Sequence, residues 1–298
     1  MAITLGGAGG GSEVNDNKAI NSAVNTITTS RGEVWLKSGV ISTDTTAYPN
    51  ATTFAGGAVA YSGTSVDTGV ALPAGLAYDG THVYVSNYSN SQMRQFNTSL
   101  VYQNVTWNGI SQNNGVAWDS GTSKWYMANT SYGDFYRYAS NGTRDTSWAH
   151  TSEPTNPQQK GLISLGGHLY CLREQATVRR YSISNGSPYL TTVATYDISS
   201  TTGTAVRTIA VDGDYFWVFT STGTGYKFNA SGVYQNVTLS LNANGATNTA
   251  WGGVAFAGAN IFVTESDNDK IYKFSKLDAV GLQNAVNTDG GTIYTRIK

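Results

Sequence analysis

An all-β fold made of one repeated four-stranded unit is what this sequence predicts, and three observations predict it. The composition is that of strands and turns: of 298 residues, 34 are Gly, 19 Tyr and 7 Trp, while only 5 are Pro. Tyr, Trp, Val and Thr favour the pleated sheet, and Gly, Ser, Thr and Asn favour the turns between strands. A small apolar segment running into an Asp/Gly turn recurs five times. An aromatic segment and then an alternating one follow each copy in the same order.

The copies of the first segment are Gly75–Gly80 (GLAYDG), Gly115–Ser120 (GVAWDS), Gly161–Gly166 (GLISLG), Thr208–Gly213 (TIAVDG) and Gly253–Gly258 (GVAFAG), with starts 40, 46, 47 and 45 residues apart. The second segments are His82–Ser86, Lys124–Ala128, His168–Leu172, Tyr215–Phe219 and Ile261–Thr264. The third are Gln92–Phe96, Asp134–Tyr138, Thr177–Tyr181, Gly225–Phe228 and Lys270–Phe274. A fourth segment often follows an Asn/Ser-Gly turn, and the pentapeptide Tyr-Gln-Asn-Val-Thr occurs twice, at 102–106 and 234–238.

Four short strands in such a period match the blade of a β-propeller. The first strand lies nearest the axis, where blades crowd, so Gly and Ala are favoured. The second is buried on both faces and reads as a continuous apolar run. The third alternates as the blade becomes exposed, and the fourth is an outer edge whose Thr, Asn and Gln face water. Each blade hides its apolar faces only against its neighbours, so the ring depends on closure. Ala58–Val66 precedes the first copy by the distance at which 102–107 precedes the second. It is therefore expected as the outer strand of the last blade, donated from the N-terminal side. Five blades over 58–276 are favoured, with six as the alternative if the ends make another. A β-sandwich or β-solenoid is the competing architecture, but neither needs a five-fold copy of the same unit.

The ends, 1–57 and 277–298, lack the repeat and are read as non-repeat extensions. Residues 15–29 space Val14, Ala19, Ile20, Val24 and Ile27 loosely, like one helical face. Glu33–Ile41 and Thr292–Lys298 read as strands, and the two are expected to pair with each other.

Charge and cysteine exclude several classes. With 18 Lys+Arg against 19 Asp+Glu, no basic excess exists to release counterions, so no nucleic-acid partner is expected. Cys171 is the only cysteine, so no internal disulfide or Cys-based zinc site is expected. The start, MAITLGGAGGG, has neither a positive n-region nor an apolar h-region, so no signal peptide is expected. No apolar run is long enough to suggest a membrane span.

The stretch Gly32–Thr52 (GEVWLKSGVISTDTTAYPNAT) resembles the N-terminal segment of tail-associated proteins of tailed bacteriophages, in which an LKxGVxxTDTxxYPxA stretch precedes a repeat domain. The end, Gly290–Lys298 (GGTIYTRIK), is similar to the short YxRIK tail of the same group. The resemblance implies a virion component of fibre, tail-tip or adsorption type, assembled in the host bacterial cytoplasm and present in several copies. Its partners would be other tail proteins and a host-surface glycan or protein. The attachment residues it implies are Trp35, Leu36, Tyr48, Tyr294 and Ile297.

Individual residues favour recognition over catalysis. Asp79, Asp119 and Asp212 recur at the end of the first strand, where Asp most simply bonds its own turn backbone. Asp267-Asn-Asp269 resembles half of a calcium loop, but the Gly and distal Glu are missing at the needed spacing. No G-x-S-x-G and no phosphate-binding Gly loop occurs. His82 and His168 occupy equivalent turn positions, and Cys171 sits in a strand expected to be buried. The many N-x-S/T triplets are read as turn chemistry rather than glycosylation. No cofactor or metal is expected. Loops between second and third strands, and between fourth strands and the next blade, should share one face. On it Tyr88, Asn90, Trp107, Tyr132, Trp148 and Asp267 are the candidate partner-binding residues, since aromatics with amides suit sugars or peptides. The favoured function is a non-enzymatic structural protein of a phage virion that presents its propeller for host binding. The alternatives are a propeller hydrolase or lactonase with an axial metal, and a cellular protein-binding scaffold.

Overall fold

The computed structural model describes residues 34–37, 59–89, 91–110, 112–130, 133–151, 158–186, 189–241, 251–276 and 294–297. The expected helical stretch 15–29, together with Tyr48, Asn90 and Tyr132, lies outside them. The chain divides into two units, Met1–Ala51 with Leu277–Lys298, and Thr52–Lys276. In the first unit, strand β1 (Val34–Lys37) pairs antiparallel with β22 (Tyr294–Ile297), in the register Val34 to Ile297 and Lys37 to Tyr294. The pairing expected of the two chain ends is therefore present.

The second unit is a five-bladed β-propeller. Blade A is β3 (Pro73–Tyr78), β4 (Val83–Asn87), β5 (Gln92–Phe96) and β6 (Tyr102–Asn108). Blade B is β7 (Asn113–Asp119), β8 (Lys124–Asn129), β9 (Asp134–Ala139) and β10 (Arg144–Thr151). Blade C is β11 (Gln159–Leu165), β12 (His168–Arg173), β13 (Thr177–Ile183) and β14 (Leu190–Asp197). Blade D is β15 (Val206–Asp212), β16 (Tyr215–Thr220), β17 (Thr224–Asn229) and β18 (Tyr234–Ser240). Blade E is β19 (Trp251–Ala257), β20 (Asn260–Glu265) and β21 (Lys270–Lys276), completed by β2 (Val59–Asp67). β2, donated from the N-terminal side, thus closes the ring, as the spacing before the first repeat predicts; it runs antiparallel to β21 from Val59–Lys276 to Asp67–Lys270.

Burial follows the order of strands. The second strands are buried along almost their whole length, the third alternate, and the outer β6 and β14 are largely exposed. Among the described residues the buried apolar side chains form five clusters, each shared by two neighbouring blades. Trp217, Phe219 and Phe256 stack between blades D and E, for instance, and Tyr84 meets Trp125 between A and B. No blade has a core of its own.

The inner strands approach closely enough to dictate residue type. A Cβ placed on Gly115 would fall 2.8 Å from Leu162 Cβ and 2.9 Å from Leu162 N in the next blade. One on Gly161 would fall 3.1 Å from Ile209 N of the blade after that. Gly75 meets Val116 and Gly253 meets Leu76 in the same way, so the repeat glycine is a contact between blades. All five inner pairs also shift register at this point, between Pro73 and Leu76, Asn113 and Gly115, Gln159 and Gly161, Val206 and Thr208, and Trp251 and Val254. Such a shift removes ladder partners. Ser86 Oγ accepts from Gly75 N, Thr264 Oγ1 from Gly253 N, and Asn113 Oδ1 from Gly115 N.

The repeated pentapeptide also has a local cause. Its central residues Asn104 and Asn236 sit at φ 57° and 55°, where Asn is tolerated far better than β-branched residues. Each lies beside a register shift in its outer pair, as a bulge requires. Asn97 and Asn229 each accept two backbone N–H groups through Oδ1 in the preceding turn. Asn87 and Asn141 each accept one. Turn chemistry therefore accounts for these N-x-S/T triplets.

Two predictions follow from this packing. Gly115→Val should destabilise the propeller by ~1–3 kcal/mol or more through overpacking, measured by denaturant unfolding. Gly186→Ala, where nothing lies within 4 Å of the added Cβ, should stay within ~0.5 kcal/mol. Burial pushes the Tyr138 phenol up to about 12, and burial with the Glu265 carboxylate pushes Tyr272 up to about 12. An unfolded tyrosine ionises near ~10. Between those values the folded protein holds protons that the unfolded chain releases. This stabilisation is complete below pH ~10 and is lost as pH rises through about 12. The last part of the tyrosinate absorbance change should therefore coincide with the change in tryptophan fluorescence in an alkaline titration; ionisation of every tyrosine in a still-folded protein would contradict this.

Candidate functional site

The topology sorts the loops onto two faces of the ring. Loops after second strands bond to loops after fourth strands: Gln112 N donates to Tyr88 O, Thr130 N to Gln112 O, Ile198 N to Ala176 O, and Leu241 N to Gly223 O. At the closure, Thr68 N and Oγ1 both donate to Asp269 O, and Leu72 N donates to Asp269 Oδ1. Asp269 is thus a tie for the closing strand, in keeping with a turn reading of 267–269.

On that face the expected partner-binding residues have mixed positions. Asp267 is exposed and Tyr88 half-buried in their loops. Trp107 is half-buried, with its ring 5.4 Å from Tyr138 and 6.1 Å from Trp125 of the next blade. Trp148 packs between blades. It is 0% exposed, its indole N–H donates to Ser184 O, and its ring meets Tyr126 edge-on at 5.4 Å. It fills the gap between blades B and C. Trp35 and Leu36 lie in β1, and Tyr294 and Ile297 in β22.

The opposite face, built from the turns after first and third strands, carries the cavities. One, about 370 Å³, lies between blades B and C and is lined by Trp118, Asp119, Thr122, Ser164, Ile183 and Asn185, among others. A second, about 250 Å³, opens on the axis between the inner strands of all five blades and shares Trp118 and Ser164 with the first. The walls of the larger cavity are held from both sides. Ser164 Oγ donates to Asp119 Oδ1 at 2.9 Å across the blade gap. Thr122 N and Oγ1 both donate to Asp119 Oδ2. Arg137 donates from Nη1 to Asn185 Oδ1 at 2.7 Å while its other nitrogens bind Asp145 Oδ2. The Trp118 ring rests on Trp125 at 4.9 Å.

The three repeated aspartates diverge in role. Asp79 Oδ1 accepts from Thr81 N and His82 N, an ordinary turn. Asp119 adds the cross-blade bond to Ser164. Asp212 is a buried ion pair instead: Lys276 Nζ lies 2.9 Å from Asp212 Oδ1, with side chains 3% and 2% exposed. Burial holds the nearby Lys227 ammonium below the usual lysine range; Asp212 opposes that shift and Lys276 adds to it. Lys227 and Lys276 also lie over the Tyr215 and Phe256 rings, at 4.3 and 5.0 Å. The sequence shows the repeated Asp but not its partner, which comes 64 residues later from another blade. His168 Nδ1 bonds Gly166 O within its turn, and Cys171 is buried. Among the described residues no group of three or more His, Cys, Asp or Glu could hold a metal ion.

No protein-family model matches the chain, and no curated protein matches it. Among solved structures it is similar to glutaminyl cyclase of Myxococcus xanthus, with 12% identity over 70% of this chain and 92% of that one and a TM-score of 0.53. It is also similar to the WD40 propeller domain of Doa1, with 11% identity over 74% and 98% and a TM-score of 0.48. For virginiamycin B lyase of Staphylococcus aureus the identity is 13% over 68% and 66%, with a TM-score of 0.41. At such identities the likeness concerns the propeller fold alone.

Asp212→Asn should cost ~3–5 kcal/mol, because it leaves two buried lysines without their carboxylate. The folded Lys227 would then give up its proton at lower pH than its unfolded counterpart. The variant should therefore regain stability as pH rises from neutral toward the unfolded lysine value, ~10.4. Urea midpoints measured across that range check the sign, and a midpoint as high as that of the parent at neutral pH would refute it.

Proposed function

We propose that this chain is a non-enzymatic structural protein of a tailed-phage particle, fixed through its two ends and presenting its propeller for host-surface binding. The observation that supports this most is the β1–β22 register. The two segments that resemble phage tail-associated proteins, Gly32–Thr52 and Gly290–Lys298, are the ones that contribute those paired strands. Two ends joined by a ladder belong to one unit, and the ring belongs to the other. In this reading the terminal unit serves fixation and the propeller's loops serve recognition, and several copies on one particle would strengthen weak single-site binding through avidity. Trp35, Leu36, Tyr48, Tyr294 and Ile297 belong to the proposed attachment segments, while Tyr88 and Asp267 belong to loops of the displayed ring.

Gradient-purified particles from a lysate of the cells that express the chain test the reading. Mass spectrometry should find the full chain co-sedimenting with particles in a fixed ratio to the major head protein, and a chain ending at Asp289 should stay at the top of the gradient. A full chain that remains wholly in the soluble fraction would overturn the proposal.

A further inference from the structure

The cavity between blades B and C has a chemistry of its own. Trp118 is half-buried and lines the cavity, with its ring held by contact with Trp125. Asp119 is 5% exposed and lines the same cavity. Its oxygens accept from Ser164 Oγ, Thr122 N and Thr122 Oγ1, and a carboxylate has about four lone-pair sites, so it can accept one further hydroxyl proton. Ser120 Oγ and the Asn185 amide N–H groups add donors, while Thr122 Oγ1 and Ser164 Oγ, whose protons go to Asp119, add acceptors. No Lys, Arg or His lines the cavity, so nothing in it favours an anion. At about 370 Å³ it falls within the ~300–1,000 Å³ range of small-ligand pockets. It is also pre-formed: the Asp119–Ser164, Arg137–Asn185 and Trp148–Ser184 bonds all cross from blade B to blade C. Such fixing lowers the ordering cost of binding.

We infer that this cavity is a binding site for a neutral saccharide, with Trp118 stacking on the apolar face of a sugar ring and Asp119, Thr122 and Asn185 bonding its hydroxyls. An aromatic platform beside a set of hydrogen-bond donors and acceptors matches a ring with one apolar face and a polar rim. The site lies on the face opposite the loops that carry Tyr88 and Asp267. It deepens the display role above, on which it rests for its biological use, by naming the chemistry that would be recognised.

The test uses the full chain labelled with 5-fluorotryptophan, titrated with glucose, galactose, mannose, rhamnose and N-acetylglucosamine in turn, and separately with choline chloride and sodium phosphate. The Trp118 resonance, assigned through Trp118→Phe, should shift saturably with at least one sugar while the buried tryptophans stay still. Trp118→Ala, followed by calorimetry with that sugar, should weaken binding at least ~10-fold, an effect of ~1.4 kcal/mol. Gly121→Phe keeps the core intact, since Gly121 is exposed with only Asp119 within 4 Å of an added Cβ, and it should abolish the shift by filling the cavity. The inference is overturned if none of the five sugars moves Trp118, if choline or phosphate moves it instead, or if folded Gly121→Phe binds as the parent does. The isolated chain is used throughout, so a negative result removes this site without bearing on whether the chain sediments with particles.

Discussion

Five inner strands must share one axis, and almost everything else in the propeller is a response to that crowding. Where Gly115 faces Leu162 there is no room for a Cβ, and where Gly161 faces Ile209 one would be tightly crowded. The register shift beside each glycine lets the strand bend at that point, and it leaves N–H groups that the ladder no longer satisfies. Ser86, Asn113 and Thr264 supply the missing acceptors. Glycine, bulge and hydroxyl are thus parts of one device, repeated with local variation around the ring.

Closeness at the axis also explains why the blades depend on one another. Every apolar cluster lies between two blades, so an open ring would leave two sheets with an uncovered face. Closure comes from β2, drawn from the N-terminal side of the first repeat to complete blade E. Asp269 holds the chain as it leaves that strand, and the buried Asp212–Lys276 pair joins blades D and E near its other end. A buried pair of this kind adds little net stability over an apolar substitute, but it strongly disfavours any arrangement that separates the partners.

Much of this was legible in the residues. The small-residue first strand, the continuous apolar second strand and the alternating third strand each report one local environment, and local environments repeat with the blade. The closing strand was legible because Ala58–Val66 stands before Gly75 as 102–107 stands before Gly115. What did not show were the contacts between blades. Trp148 looks like an exposed aromatic in an outer strand, yet it is buried because Ser184, Tyr126 and Tyr189 of its surroundings close over it. Asp212 looks like its turn-forming counterpart Asp79 and instead meets Lys276. The cavity beside Trp118 needs three segments of two blades at once, and the sequence reading looked for recognition on the other face.

The closed ring is the central claim, and amide hydrogen exchange on β2 tests it most directly. If β2 completes blade E and the blades stand or fall together, amides of Val59–Asp67 bonded to β21 will exchange only through global unfolding. Their protection will then match that of β20. Exchange of β2 at the rate of an exposed loop, while β20 and β21 stay protected, would contradict the account.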